Sequence, residues 1–131
     1  MRYLLDSDVV IDHLKNVRLI SDLIGRLEEH DTFLSMVTYM EVYQGIYRNP
    51  TPHVAEAQFL ALLDSVGIAL FTEPVARRCA LLREELKRGG RRVRHRFLDL
   101  ITAATALEND LTLVTRNTAD YDDVPGLRLH P

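Results

Sequence analysis

Short apolar runs that stop abruptly alternate with stretches at helical spacing along the whole chain, and this alternation restricts the fold more than any single motif. RYLL (2–5) reads as a buried strand, followed by helical stretches from about Val9 to Leu14 and from about Arg18 to Glu29. TFLS (32–35) is expected to form a second strand and TYMEVYQGI (38–46) a helix. Thr51 and Pro52 supply an N-cap and a first-turn proline for a helix reaching about Val66, and IALF (68–71) reads as a third strand. Between Pro74 and Arg88, the residues Val75, Cys79, Leu82 and Leu86 mark one helical face, and Gly89 is placed to end it. FLDLITAATALEND (97–110) predicts a further helix, LTLV (111–114) a fourth strand and LRL (127–129) a short last one. Such a pattern predicts one α/β domain over 1–131, with a parallel sheet covered by helices on both faces.

Composition narrows the function classes. A chain of 131 residues, 47% hydrophobic, can bury a core of its own. Its wholly apolar runs fall far short of the roughly 18 residues that a membrane span needs, and the first of them ends at Asp6 with no cleavage site of small residues after it. A soluble, cytoplasmic protein is expected. The single cysteine, Cys79, excludes an internal disulfide and a cysteine-rich zinc site, and its place on the apolar stripe predicts a buried small hydrophobe rather than a nucleophile. Net charge is −3, yet nine of the sixteen Lys and Arg lie between Arg77 and Arg96. The densest part, KRGGRRVRHR (87–96), suits either phosphate contact or an ordinary solvated loop.

Carboxylates stand where the strands end. In a doubly covered parallel sheet the reactive surface lies beyond the carboxyl ends of the strands, where strand order reverses. Asp6 follows the first strand in LLDSDVVID; Glu41 is expected in the first turn of the helix after the second strand. Asp99 opens the helix after the basic loop, and Asn117 and Asp120 follow the fourth strand in VTRNTADYDD. Each has a structural explanation too. Thr38 to Glu41 fits a capping box, Asp99 near a helix start gains about 0.3–1 kcal/mol from the helix dipole, Asp8 suits an N-cap, and Asp12 is expected to face water. Asp120, Asp122 and Asp123 sit in a turn-rich loop where aspartate is common.

Taken together, the acids point to an ion. Carboxylates crowded at one edge repel one another unless a cation neutralises them. Oxygen ligands without cysteine or a histidine pair favour Mg2+, with Mn2+ also suitable, over zinc. An ion of that kind draws phosphates to an acidic pocket and activates water for in-line attack, which is phosphodiester hydrolysis.

Four segments in order, LLDSDVVID, SMVTYMEVYQGI, FLDLITAATAL and LTLVTRNTADYDDVPGLRL, resemble the PIN-domain ribonucleases, in particular the VapC-type toxins of bacterial toxin–antitoxin pairs. The resemblance runs from the first strand to the last. It implies a three-layer α/β/α sandwich, a metal-dependent endoribonuclease, a homodimer and inhibition by a cognate VapB-type antitoxin. It also implies that Asp6, Glu41 and Asp99 are the catalytic, metal-holding acids. Where some members of the family carry a fourth aspartate, this chain has Asn117, which ligates through its carbonyl without adding charge; Asp120 is the other candidate there. Asp8, Thr115 and Arg116 are supporting candidates, and Arg94, Arg96 and Arg116 are candidates for holding the RNA backbone.

Rival readings come from other classes. DSDVV fits the D-x-D-x-[TV] pattern of haloacid-dehalogenase phosphotransferases, and response-regulator receiver domains share the length and the acidic pocket. Both lean on a late lysine, whereas the only lysines here are Lys15 and Lys87, and the acidic pair expected after the last core strand of a phosphotransferase is missing. A catalytically silent nucleic-acid-binding module, its acids purely structural, is the third alternative.

Overall fold

Leu4 and Leu5 sit side by side in the first strand and are fully buried, each on a different face of the sheet. Their alternation sets the architecture, because successive strand residues point to opposite sides and both sides must be covered. Leu4 joins a core built with Val75, Cys79, Leu82, Leu100 and Leu113, whereas Tyr3 and Leu5 pack with Val9, Ile24, Leu34, Val42 and Phe59. The structure is a computed structural model and describes residues 2–27 and 30–131.

The elements run β1 (Arg2–Leu5), α1 (Ser7–Leu14), α2 (Arg18–Leu27), β2 (Asp31–Ser35), α3 (Met36–Arg48), α4 (Pro52–Leu63), β3 (Gly67–Ala69), α5 (Glu73–Arg88), α6 (Phe97–Glu108) and β4 (Thr112–Val114), then a 3-10 turn at Thr118–Asp120. All strand pairings are parallel and the order is β3-β2-β1-β4. The parallel sheet covered on both faces that the alternation predicts, and the three-layer α/β/α sandwich that the resemblance implies, are therefore present. The chain leaves β1 toward β2 and β3, then returns to the opposite side of β1 with β4. Strand order thus reverses between β1 and β4, and a crevice opens beyond their carboxyl ends.

Differences from the expected elements have local causes. The end of the second helix expected at Glu29 lies outside the described residues. LRL (127–129) makes only one parallel bridge, Leu129 to Leu113, held by the Leu113 N–H to Arg128 carbonyl and His130 N–H to Leu113 carbonyl bonds, both 2.8 Å. β3 begins at Gly67, which lies against the Phe33 ring, where a Cβ would come within 2.9 Å of a ring carbon. Leu70 and Phe71, expected in the strand, lie beyond it and are exposed. Gly89 caps α5 as expected, and Gly90 turns the chain after it. Its φ is +75°, and the Arg91 N–H to Leu86 carbonyl and Gly90 N–H to Lys87 carbonyl bonds complete a Schellman motif. Thr51 does precede α4 with Pro52 in its first turn, but its side chain makes no cap bond, and the helix ends at Leu63. Cys79 is buried as expected, and burial pushes its thiol pKa up, which suppresses nucleophilicity.

Candidate metal and active site

Asp6 leaves β1 with its backbone N–H bonded to the Val114 carbonyl of β4, 2.9 Å away, so it stands at the reversal of strand order. It is the N-cap of α1, its Oδ1 accepting the Ser7 N–H at 2.9 Å, and this role displaces Asp8 from the cap expected for it. Asp6 Oδ2 accepts two hydroxyls, Thr115 at 2.9 Å and Tyr121 at 3.0 Å. Asp8 sits in the first turn of α1, where its oxygens accept the Val9 N–H, the Arg116 N–H and the Thr115 hydroxyl.

Helix α3 starts earlier than the sequence pattern indicated. Ser35 is its N-cap, accepting the Thr38 N–H at 3.2 Å, so Thr38 to Glu41 is not a capping box and Glu41 falls in the second turn. The shift places Glu41 against Ser7, whose side chain hydrogen-bonds it, and within electrostatic reach of Asp99 and Asp8. Asp99 enters from the first turn of α6, bonded to the Tyr121 hydroxyl at 3.3 Å and facing Asp120 and Asp8. One region therefore gathers acids from three separate helices, Asp6 at the cap of α1, Glu41 in the second turn of α3 and Asp99 in the first turn of α6.

Electrostatics reveal what these groups lack. Burial, then the charge of Asp8, raises Asp6 from 3.8 to about 6. Glu41 and Asp99 are also pushed up, each chiefly by burial and further by neighbouring carboxylates. Among the described residues, Arg96 is the cation whose charge opposes the shift of Asp99, and its guanidinium is already committed elsewhere. Asp12 contradicts the expectation that it faces water. It is buried and pairs with Arg116 Nε at 2.9 Å.

No three His, Cys, Asp or Glu side chains among the described residues stand close enough to grip an ion directly. The donor set nevertheless suits a hard divalent cation. It consists of carboxylate and hydroxyl oxygens, it carries surplus negative charge, and magnesium characteristically binds through one or two carboxylates while keeping several waters. Asn117 and Asp120 lie exposed at the rim, with the Asn117 N–H on Thr115 Oγ1 and Asp120 facing Asp99.

The arginines separate into two kinds. Arg96 makes a two-pronged pair with Asp123 at 2.7 and 2.9 Å and donates to the carbonyls of Arg92 and Asp120. Those bonds occupy both of its terminal nitrogens, so it organises the loop rather than reaching for phosphate as the sequence suggested. Arg94 is exposed beside the start of α6, and Arg116 remains 58% exposed while paired with Asp12. Ser7 and Tyr121 do not stand out in the sequence. Tyr121 carries one available signal there, an aromatic three residues before Val124 in an otherwise acidic loop, a spacing that buries both in one core.

Comparison with known proteins identifies the family. The PIN domain pattern matches residues 3–127. The chain is 27% identical over 128 residues to the tRNA(fMet)-specific endonuclease VapC of Shigella flexneri, covering 98% of this chain and 96% of that protein. It superposes on a chain of VapBC2 from Rickettsia felis, solved bound to a DNA fragment from their promoter, with a TM-score of 0.88 at 22% identity over 99% of this chain and 98% of that one. A toxin–antitoxin complex from Klebsiella pneumoniae is similar at 29% identity and a TM-score of 0.73, covering 95% and 94% of the two chains. With its acids at the switch point of a parallel sheet and the family pattern spanning nearly its whole length, the chain belongs to the PIN-domain family.

Proposed function

We propose that this chain is a VapC-type toxin, an endoribonuclease that hydrolyses RNA phosphodiester bonds with the help of a divalent cation and is neutralised by a VapB-type antitoxin. The observation that carries the reading is the convergence of Asp6, Glu41 and Asp99, from separate elements, on one crevice where each carboxylate is held above its ordinary pKa. A fold does not gather buried acids without a counter-charge for stability alone. The relative named as a tRNA(fMet)-specific endonuclease supports hydrolysis of RNA, and the toxin–antitoxin complex supports the partner.

Asp6, Glu41 and Asp99 are the residues that would hold Mg2+ or Mn2+, with Asp8 close behind and Asn117 and Asp120 at the rim. When bound, such an ion would supply an acidified water and positive charge to offset the negative charge developing on the phosphoryl oxygens and the leaving oxygen. The protein's own groups do the rest. Thr115 and the Ser7 N–H fix the Asp6 carboxylate, and Ser7 steadies Glu41. The exposed Arg94 and Arg116 hold backbone phosphates, and single-stranded or looped RNA is the expected form, since sequence-specific RNA recognition mostly takes unpaired segments.

The antitoxin segment lies in the apolar cavity of about 370 Å³ between α1, α3 and α4, lined by Ile11, Leu14, Val42 and Ile46. Homodimerisation and a cytoplasmic location follow from the same family reading; among the described residues no helix is long and apolar enough to cross a membrane. The test is to incubate the purified chain with total cellular RNA, with and without EDTA, and to map the cleaved ends. Discrete new ends that EDTA abolishes are expected. Intact RNA under both conditions overturns the reading.

A further inference from the structure

No charge argument singles out Tyr121. Its ring is 2% exposed and shares the core with Leu4, Leu100, Leu113 and Val124, so packing fixes it rigidly. A phenylalanine ring fills the same space. The hydroxyl is therefore surplus to packing, and a buried polar atom is costly unless something pairs with it. Its partners are Asp6 Oδ2 at 3.0 Å and Asp99 Oδ1 at 3.3 Å.

We propose that Tyr121 is a positioning residue of the metal site, its hydroxyl tying the carboxylate at the end of β1 to the one at the start of α6 and so presetting the gap a divalent cation enters. The inference rests on the nuclease reading. A hydroxyl has one proton, which it donates to either oxygen in turn, so it places hydrogen between two like charges that otherwise push apart. For Asp6 it completes a set of three donors from three segments, with Ser7 and Thr115 as the others. Its mount also moves with Asp99. Arg96, the N-cap of α6, grips Asp123 and the Asp120 carbonyl, and these residues flank Tyr121. The loop that carries the phenol is thereby fastened to the helix that carries the acid.

Tyr121→Phe in the full chain tests this. Calorimetric titration with Mn2+, without RNA, should show affinity about 10- to 100-fold weaker, the size of effect typical when a partner that orients a metal ligand is removed. With RNA, kcat should fall by a similar factor while KM holds, and Tm should stay within a few degrees. In metal-free protein the Ser7 amide resonance should move, because Asp6 Oδ1, its acceptor, is released to turn. Unchanged Mn2+ affinity with an unmoved Ser7 amide overturns the assignment. If the unsubstituted chain neither binds Mn2+ nor cuts RNA, the nuclease reading fails by itself, and the Ser7 resonance still decides whether Tyr121 orients Asp6.

Discussion

Asp6 and Asp123 are two aspartates at neighbouring strand-end loops, and the fold treats them in opposite ways. Asp123 receives the Arg96 guanidinium, 2.7 Å away, and the hydrogen bonds and charge of that arginine hold its carboxyl below the ordinary value. Asp6 is buried more deeply, yet it receives hydroxyls, an amide N–H and other carboxylates, and its pKa rises to about 6. An arginine within reach of the same loop goes to the aspartate that closes it. The difference separates a charge placed to hold the fold from a charge left open for a ligand.

Removing the open charge should break the contrast most completely. Asp6→Asn is expected to reduce RNA cleavage to the level of a control without protein while leaving the chain folded. Without divalent ions the variant should be more stable at pH 7 by as much as about 3 kcal/mol, from roughly 1.36 kcal/mol per pKa unit. The sign follows from proton uptake. Between 3.8 and about 6 the native state binds more protons at Asp6 than the unfolded chain, so wild-type stability falls as pH rises through that window and levels off above it. Chemical denaturation from pH 4 to 7 should show this slope in the wild type and a shallower one in the variant, Glu41 and Asp99 contributing the remainder. Cleavage by Asp6→Asn at the native rate would remove the acid from the site.

Removing the closed charge should do the reverse. Asp123→Ala strands Arg96 at a pair whose side chains are only 17% and 13% exposed, and should cost about 2–4 kcal/mol in denaturant titration, near the range for breaking a buried pair. Because the pKa of Asp123 is depressed, its stabilisation is present above the unfolded value of 3.8 and is lost as pH falls below it. A comparable cost from Asp6→Asn and Asp123→Ala would erase the distinction between the two sites.

Supplying a cation sharpens the contrast by a smaller step. Mn2+ at about one hundred times its dissociation constant should stabilise the wild type by about 2.7 kcal/mol, by linkage, in a thermal melt that EDTA reverses. Asp6→Asn should respond far less, and Asp123→Ala should respond like the wild type. Least of all is the effect of single exposed arginines. Arg94→Ala should weaken RNA affinity a few-fold and flatten its salt dependence by about one unit of slope; an unchanged slope would take Arg94 out of the phosphate path.

Periodicity and strand-end chemistry are local properties, and the amino-acid sequence displays them directly. LLD, the helix carrying Asp99 and the apolar LTLV follow from residue spacing, because each strand or helix must hide one pattern of side chains whatever its neighbours are. Asp6, Glu41 and Asp99 are recognisable because strand ends in a parallel sheet are where such acids meet. Nothing local distinguishes Ser35 from Thr38 as the cap of α3; packing of Val37 and Thr38 into the core makes that choice and moves Glu41 one turn along. The same holds for Arg96, Asp12 and Tyr121. Whether an arginine meets phosphate or Asp123, an aspartate meets water or Arg116, or a tyrosine fills core or bridges two acids depends on which distant segment arrives beside it. Distances between segments are set by the fold as a whole, so partners more than a hundred residues apart, such as Asp6 and Tyr121, exist only in three dimensions.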